Sequence, residues 1–206
     1  MAEPQTDNDS LLKFRERFPI TQRSNYLINN SLGAMPKASR DSVQQFVDEW
    51  DSRGVRSWGD GWWTLQERVA DQVAQALGVR AGAVTMHQNI AVALEMILSC
   101  FRFDGPRNRV VYADRNFPSD QYIYEARAAH GAELVRVPAA ADGISTDGEE
   151  FAAHIDDRTL LVAIDHVMFR SSAIVDIAPI VEKANKVGAF VILDTFHSVG
   201  TQQLEL

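Results

Sequence analysis

The chain has 206 residues, of which 46% are hydrophobic, and its formal net charge is −8. This acidic balance argues against nucleic acid or an anionic membrane as the main partner, because both select a basic surface. Cys100 is the single cysteine, and its apolar, helix-like surroundings predict a buried helix. A single cysteine excludes an internal disulfide and a cysteine-rich metal site. Without a signal peptide or membrane-length apolar run we expect a cytoplasmic protein.

The first third of the chain reads as an arm followed by helices. Residues 1 to 9 are polar and predict a disordered tail, and Ser10 can cap a short helix that Pro19 ends. Pro36 can open a longer helix that ends near Gly54. Four apolar side chains recur in it at helical spacing, and we expect that face to be buried: Val43, Phe46, Val47 and Trp50.

Three of the four tryptophans lie in one short stretch, interleaved with glycines: Trp58, Trp62 and Trp63. Such a segment can place flat rings over a pocket, and it can equally cover the core at a domain junction.

From residue 84 onward, short apolar runs alternate with helix-like segments. The predicted strands are Val84–Met86, Arg109–Tyr112, Glu133–Val137, Thr159–Ile164 and a last one beginning at Phe190. The connections are long enough for parallel crossovers, so the fold class is α/β, with a mostly parallel sheet flanked by helices.

Two places along this pattern could bind a ligand. The last strand runs into Asp194, with His197 three residues on, which brings a carboxylate and an imidazole to the edge where α/β sheets bind ligands. The structural alternative is that Asp194 caps the next turn and His197 packs in a loop. Gln88 and Asn89 precede a helix whose N-terminus could hold a phosphate, although there is no glycine-rich signature. The five histidines show no metal-ligand spacing, so no metal site is predicted.

Four stretches of the chain form a recognisable pattern. They are, in order, Tyr26-Leu27-Ile28-Asn29-Asn30-Ser31-Leu32-Gly33-Ala34-Met35-Pro36, Arg56-Ser57-Trp58 with Trp62, Phe117-Pro118-Ser119-Asp120, and Asp194-Thr195-Phe196-His197-Ser198. In order and approximate spacing these stretches resemble kynureninases, which are pyridoxal-phosphate (PLP) enzymes of the class V aminotransferase group with the aspartate-aminotransferase-like fold. The resemblance spans about residues 18 to 200. It implies a hydrolase that cleaves the Cβ–Cγ bond of L-kynurenine or 3-hydroxykynurenine to (hydroxy)anthranilate and alanine.

The resemblance also implies roles for individual residues. Asp194 would face the PLP ring nitrogen and His197 would lie beside the cofactor, as the catalytic pair. The implied cofactor-binding set is Gln88, Asn89, Phe117, Asp120, Ser171, Asp194 and His197, and the implied substrate residues are Asn30, Ser31 and Trp62. Residues 1–55 would form an N-terminal arm and part of a small domain, and residues 56–206 an incomplete PLP-binding large domain. A homodimer is implied as well.

Three departures from the family pattern stand out. The phosphate turn reads His87-Gln88-Asn89-Ile90, where hydroxyl residues are usual, and Met168-Phe169-Arg170 replaces common aromatics. All four lysines precede Asp194, so we expect the lysine that binds the cofactor covalently to be absent. The chain would then be an amino-terminal portion of a longer enzyme, and we expect the 206 residues alone to be inactive. The alternatives are another class V enzyme (aminotransferase, cysteine desulfurase or epimerase) and a degenerate, non-enzymatic member.

Overall fold

A computed structural model describes residues 10–202, so the tail predicted for residues 1–9 lies outside the described residues. The chain divides into two compact units, with the boundary between Val69 and Ala70. The domain assignment made from the sequence, with its boundary at residue 55, stays a prediction.

The first unit is helical. Its main element is α1 (Lys37–Arg53), followed by α2 (Ser57–Asp60) and by α3 (Leu65–Leu77), which runs across the unit boundary. Gly54 ends α1 at a φ of 54°, a left-handed value that favours glycine. The 3-10 helices of the described chain are Leu12–Arg17, Pro19–Gln22, Gly54–Arg56, Trp62–Thr64 and Arg127–His130.

The prediction that α1 buries one face is wrong for the described residues. Val43 and Trp50 are 65% and 63% exposed, and no residue of α1 is buried. The apolar side chains of α1 do recur at helical spacing. Among the described residues, however, the one ring that stacks flat on this apolar stripe is that of Trp62, which lies on Phe46.

The second unit contains a four-stranded sheet in which every pair of neighbours is parallel. The strands are β1 (Arg109–Ala113), β2 (Glu133–Val137), β3 (Thr159–Asp165) and β4 (Phe190–Asp194), in the spatial order β2-β1-β3-β4. α4 (Ile90–Ser99) precedes the first strand, and the helices between the strands are α5 (Pro118–Ala126), α6 (Gly148–Ala152) and α7 (Ala178–Val187). The predicted fold class is confirmed.

Two expectations for this unit are wrong. Val84–Met86 forms no strand, because this short run has no strand neighbour and the sheet of the described chain begins at β1. Cys100, expected in a buried helix, is exposed, because it lies just past the end of α4.

Both faces of the sheet are covered. Alternate side chains of β1 point to opposite faces, so Val110 packs with Leu98 of α4, whereas Val111 packs with Ile180 of α7. Leu98 and Ile180 are fully buried. Burial on both faces explains the near-continuous apolar runs of β1 and β3.

The parallel arrangement brings the carboxyl ends of all four strands to one edge of the sheet. Asp165 and Asp194 are paired in register at the ends of β3 and β4. The backbone N–H of His166 donates to the carbonyl oxygen of Asp194 at 2.8 Å, which holds the two strand ends together. In residues 10–202 the structure contains no helix both long and apolar enough to cross a membrane.

Candidate functional site

A cavity of about 490 Å³ opens at the carboxyl edge of the sheet. It is walled by the N-terminus of α4, the start of α5 and the loop after β4. Its lining residues are Gln88, Asn89, Ile90, Ala91, Phe117, Ser119, Asp194, Phe196 and His197. Five of the seven residues predicted to bind the cofactor therefore line one hollow.

Asn89 shapes the wall formed by α4. Its backbone is extended, and its side-chain oxygen accepts a hydrogen bond from the N–H of Val92 at 2.9 Å, which makes it the N-cap of the helix. The N-terminus of α4, with its positive dipole end, consequently faces the cavity beside Gln88. This wall is suited to an anionic group such as a phosphate.

Phe117 provides the aromatic wall. Pro118 occupies the first turn of α5, and Phe117 immediately precedes it with its ring 42% exposed. The N–H of Phe117 donates to Oδ2 of Asp165 at 2.8 Å, and its ring meets the edge of Phe169 with the centroids 5.1 Å apart. These contacts hold the ring at the edge of the cavity, where a flat heterocycle could stack on it.

Asp194 and His197 lie on the opposite wall. Oδ1 of Asp194 accepts the N–H of Phe196 at 2.7 Å, so the carboxylate also organises the turn that follows β4. Nδ1 of His197 lies 3.3 Å from the carbonyl oxygen of Val167, in the loop after β3. The capping role considered as an alternative for Asp194 is thus real, and it coexists with the exposure of Asp194 to the cavity.

Asp194 belongs to a cluster of three carboxyl groups, and the other two are those of Asp120 and Asp165. One oxygen from each lies within 4.8 Å of the other two. Asp120 and Asp165 are both 2% exposed. Burial first, and then the charge of Asp194, raises the pKa of Asp165 to about 8 and that of Asp120 to about 7.

Asn116 fixes the position of Asp165. Its amide nitrogen donates to the carbonyl oxygen of Ala163 at 3.1 Å, and its side-chain oxygen accepts the N–H of Asp165 at 3.4 Å. Asn116 is almost fully buried, so these bonds tie the loop after β1 to the end of β3.

The remaining predicted residues do not line this cavity. Asp120 lies behind it, in the first turn of α5. Oγ of Ser171 accepts the N–H of Ala173 at 3.2 Å, and Ser171 is not among the lining residues. Their roles toward a cofactor stay predictions.

The three predicted substrate residues belong to the first unit. Asn30 and Ser31 are exposed in the turn after Ile28. Trp62 stacks on Phe46 with ring centroids 4.3 Å apart, and its indole nitrogen donates to Oε2 of Glu49 at 2.9 Å. Trp62 lines a separate cavity of about 530 Å³ with other aromatic side chains. The substrate role of all three stays a prediction.

Sequence reasoning passed over Asp165. The signal was present, because β3 and β4 both end in an aspartate after an apolar run, as Ala163-Ile164-Asp165 and Ile192-Leu193-Asp194. What the sequence does not contain is the adjacency of the two strands, since β3 and β4 could have been separated by another strand.

Comparison with known proteins agrees with this geometry. The profile of the family described as aminotransferase class V matches residues 25–206, which is most of the chain. The chain belongs to this family. The predicted membership of the class V group is therefore confirmed.

Kynureninases are among the similar proteins. The chain is 30% identical to kynureninase of Burkholderia pseudomallei strain K96243, over 97% of this chain and 48% of that enzyme. It is 28% identical to kynureninase of Geobacillus thermodenitrificans strain NG80-2, over 93% of this chain and 47% of that enzyme. The chain spans about half the length of the curated relatives it matches.

Solved structures support the fold. A lysine-to-alanine mutant of C-DES, with glycine covalently linked to its PLP cofactor, aligns with a TM-score of 0.81 and 18% identity, over 93% of this chain and 51% of that one. The cysteine desulfurase CsdA of Escherichia coli aligns with a TM-score of 0.76 and 19% identity, over 92% of this chain and 49% of that one. The arrangement of strands and helices is thus that of PLP-dependent enzymes.

Proposed function

We propose that this chain forms part of the PLP site of a kynureninase-like hydrolase. The observation that carries the proposal is that Asp194, Phe117 and the N-terminus of α4 surround one cavity. Its volume of about 490 Å³ lies within the range of about 300 to 1,000 Å³ typical of cofactor sites.

The donor set fits the three chemical parts of PLP. The N-terminus of α4, with Gln88 and Asn89, would hold the phosphate through backbone N–H groups. Phe117 would stack on one face of the pyridine ring, and Asp194 would accept a hydrogen bond from the protonated ring nitrogen. When bound, PLP supplies an electron sink for a bond that breaks at the substrate's α-carbon, and the sink is deepest when that nitrogen is protonated.

The residues of this chain would hold the cofactor and control a proton. Asp194 would keep the ring nitrogen charged, because a carboxylate beside a base favours its protonated form. His197 lines the same cavity, where its imidazole could form a hydrogen bond to the phenolic oxygen of PLP or support Asp194. Phe117 and Phe196 would exclude water from one side of the ring.

The proposed substrate is L-kynurenine or 3-hydroxykynurenine, and the products are anthranilate, or its hydroxylated form, and alanine. This rests on the identity with kynureninases along almost the whole chain. Asn30, Ser31 and Trp62 are the proposed substrate contacts. A cytoplasmic homodimer is the proposed setting.

Cofactor binding is tested by titrating the protein with PLP and following the absorbance of the bound cofactor. Asp194→Asn keeps the size of the side chain but removes the charge, and we expect PLP affinity to fall about tenfold or more, as for loss of a charged hydrogen bond. Asp157→Asn changes an exposed aspartate and serves as the matched control. Equal PLP affinity in both variants would contradict the proposed role of Asp194.

The reaction is tested on the protein that carries this chain, loaded with PLP. L-Kynurenine and 3-hydroxykynurenine are supplied separately, and the fluorescence of the anthranilate product is followed. L-Cysteine, with detection of sulfide, is the contrasting substrate. Sulfide release without any anthranilate would replace the proposed reaction with a desulfurase reaction.

A further inference from the structure

The carboxyl cluster contains Asp165, an acidic group to which the predicted cofactor-binding set gives no role. Asp120 comes from α5, Asp165 from the end of β3 and Asp194 from the end of β4. Only Asp194 lines the cavity, while Asp120 and Asp165 lie behind it, each 2% exposed. Three like charges within 4.8 Å of one another would repel strongly in such a buried place.

In the part of the chain that the structure describes, no Lys, Arg or His is among the groups that shift the pKa of Asp165 or Asp120. Among the described residues, the charged groups that act on Asp165 are Asp194 and Asp120, and the one charged group acting on Asp120 is Asp194. Tyr124 of α5 is the further titratable group that feels all three carboxyl groups, and burial raises its pKa first. The cluster therefore has to be neutralised by protons or by a bound ion.

The hydrogen-bond pattern shows where protons are needed. Oδ2 of Asp165 accepts the N–H of Phe117, whereas Oδ1 of Asp165 is buried without a partner among residues 10–202. Oδ1 of Asp120 is also buried without a partner among these residues. The carboxyl group of Asp120 nevertheless lies within hydrogen-bonding range of Asp194. Two carboxylates cannot bond to each other, but a carboxylic acid donates a hydrogen bond to a neighbouring carboxylate.

We propose that Asp165 is a positioning residue that keeps its proton at neutral pH. Below neutral pH Asp120 is protonated as well, which leaves the single negative charge of the cluster on Asp194. The buried acids would then stabilise Asp194 with their protons instead of repelling it. Asp165 would also hold Phe117, because its other oxygen accepts the N–H of that residue. One side chain thus supports both the ring-stacking wall and the carboxylate wall of the cavity.

The raised pKa values of Asp165 and Asp120, about 8 and about 7, agree with this proton distribution. The role of Asp165 toward the cofactor rests on the proposed function. The distribution of protons does not, because it concerns the protein without PLP. The two can therefore fail separately.

The proton distribution is tested by infrared spectroscopy of the protein without PLP, as the pH is raised from 5 to 9. We expect a carbonyl band of a protonated carboxyl group that disappears with a midpoint near pH 8. Asp165→Asn should abolish this component and keep the one near pH 7 from Asp120, while the exposed control Asp157→Asn should change neither. Complete ionisation of the wild-type carboxyl groups below pH 6, or survival of the component near pH 8 in Asp165→Asn, would overturn the proposal.

An ion is the competing way to neutralise the cluster. The wild-type titration is repeated with millimolar Mg²⁺ and then with Ca²⁺. Loss of the acid band at pH 6, accompanied by retained metal after desalting, would overturn the proposal in favour of a cation site. An unchanged band supports it.

The positioning role is tested by PLP titration of two variants at Asp165. Asp165→Asn resembles the protonated acid, since its oxygen can accept the N–H of Phe117 and its amide can donate to Asp194, so PLP affinity should stay within about threefold. Asp165→Ala removes the acceptor of the Phe117 N–H and the uncharged polar group beside Asp194, and affinity should fall about tenfold. Equal affinities in the two variants would refute the positioning role. If the wild type fails to bind PLP while the acid band is intact, the proposed function is refuted and the proton assignment stands.

Discussion

The buried carboxyl of Asp165 should make the protein less stable as the pH rises, and Asp165→Asn should remove much of this effect. The pKa of Asp165 is raised from an ordinary value of 3.8 to about 8, with burial as the largest cause. Between these two values the folded state holds a proton that the unfolded state has released. Unfolding therefore releases protons, and the free energy of unfolding falls with increasing pH.

The size of the effect follows from the two pKa values. At about 1.4 kcal/mol per pH unit, the gap of roughly four units sets an upper limit of ~6 kcal/mol. Sharing of protons with Asp120 and Asp194 lowers this limit. We therefore expect the free energy of unfolding of Asp165→Asn, relative to that of the wild type, to rise by at least about 2 kcal/mol from pH 5 to pH 9. Below pH 4 both states of the wild type are protonated, and the penalty is absent.

The assay is urea unfolding followed by circular dichroism, at pH 5, 7 and 9, for the wild type, Asp165→Asn and Asp157→Asn. The exposed control should follow the wild type at every pH, because Asp157 lies at the surface. A stability difference between Asp165→Asn and the wild type that stays constant within about 0.5 kcal/mol from pH 5 to pH 9 would refute the reasoning.

Two further substitutions test the framework of the site. Asn89→Ala removes the cap of α4 and should lower the free energy of unfolding by about 1 kcal/mol and weaken PLP binding, whereas Asp147→Ala, which uncaps α6, should lower stability alone. An equal effect of both on PLP binding would count against a phosphate site at α4. Gly148→Ala places a methyl group against the backbone oxygen of Asp176 and should cost about 1 to 3 kcal/mol in urea unfolding, while Gly105→Ala, whose methyl group meets only open space, should cost less than about 1 kcal/mol. Similar losses in both glycine variants would contradict the packing described around Gly148.

The sheet was predictable because its signals are local. The run Phe190-Val191-Ile192-Leu193 is apolar without alternation, which is typical of a parallel strand, and it lies within β4. β4 is only partly buried, because it lies at the edge of the described sheet. β2 likewise has the predicted bounds, Glu133–Val137. The strand predicted at Val84–Met86 does not form, because three apolar or β-branched residues make a strand only if a neighbouring strand offers its backbone N–H and C=O groups.

The placement of Asp194 and His197 was also within reach of the sequence. An aspartate directly after a buried parallel strand has to lie at the carboxyl edge of the sheet, where the cavity is found. The exposure of Cys100 was not predictable in the same way, because it depends on where α4 ends, and helix ends are poorly defined by apolar content.

The sequence by itself determined the strands, the helices that cross between them and the edge at which Asp194 lies, because each follows from periodicity along a few residues. Only the tertiary structure decided that Asp165 lies beside Asp194 and that Asp120 comes from α5 to join them. That adjacency depends on the order β2-β1-β3-β4, which arises from packing between segments more than 20 residues apart and has no local signature. The electrostatics of the cluster follow from burial and proximity, which exist only once the sheet has formed.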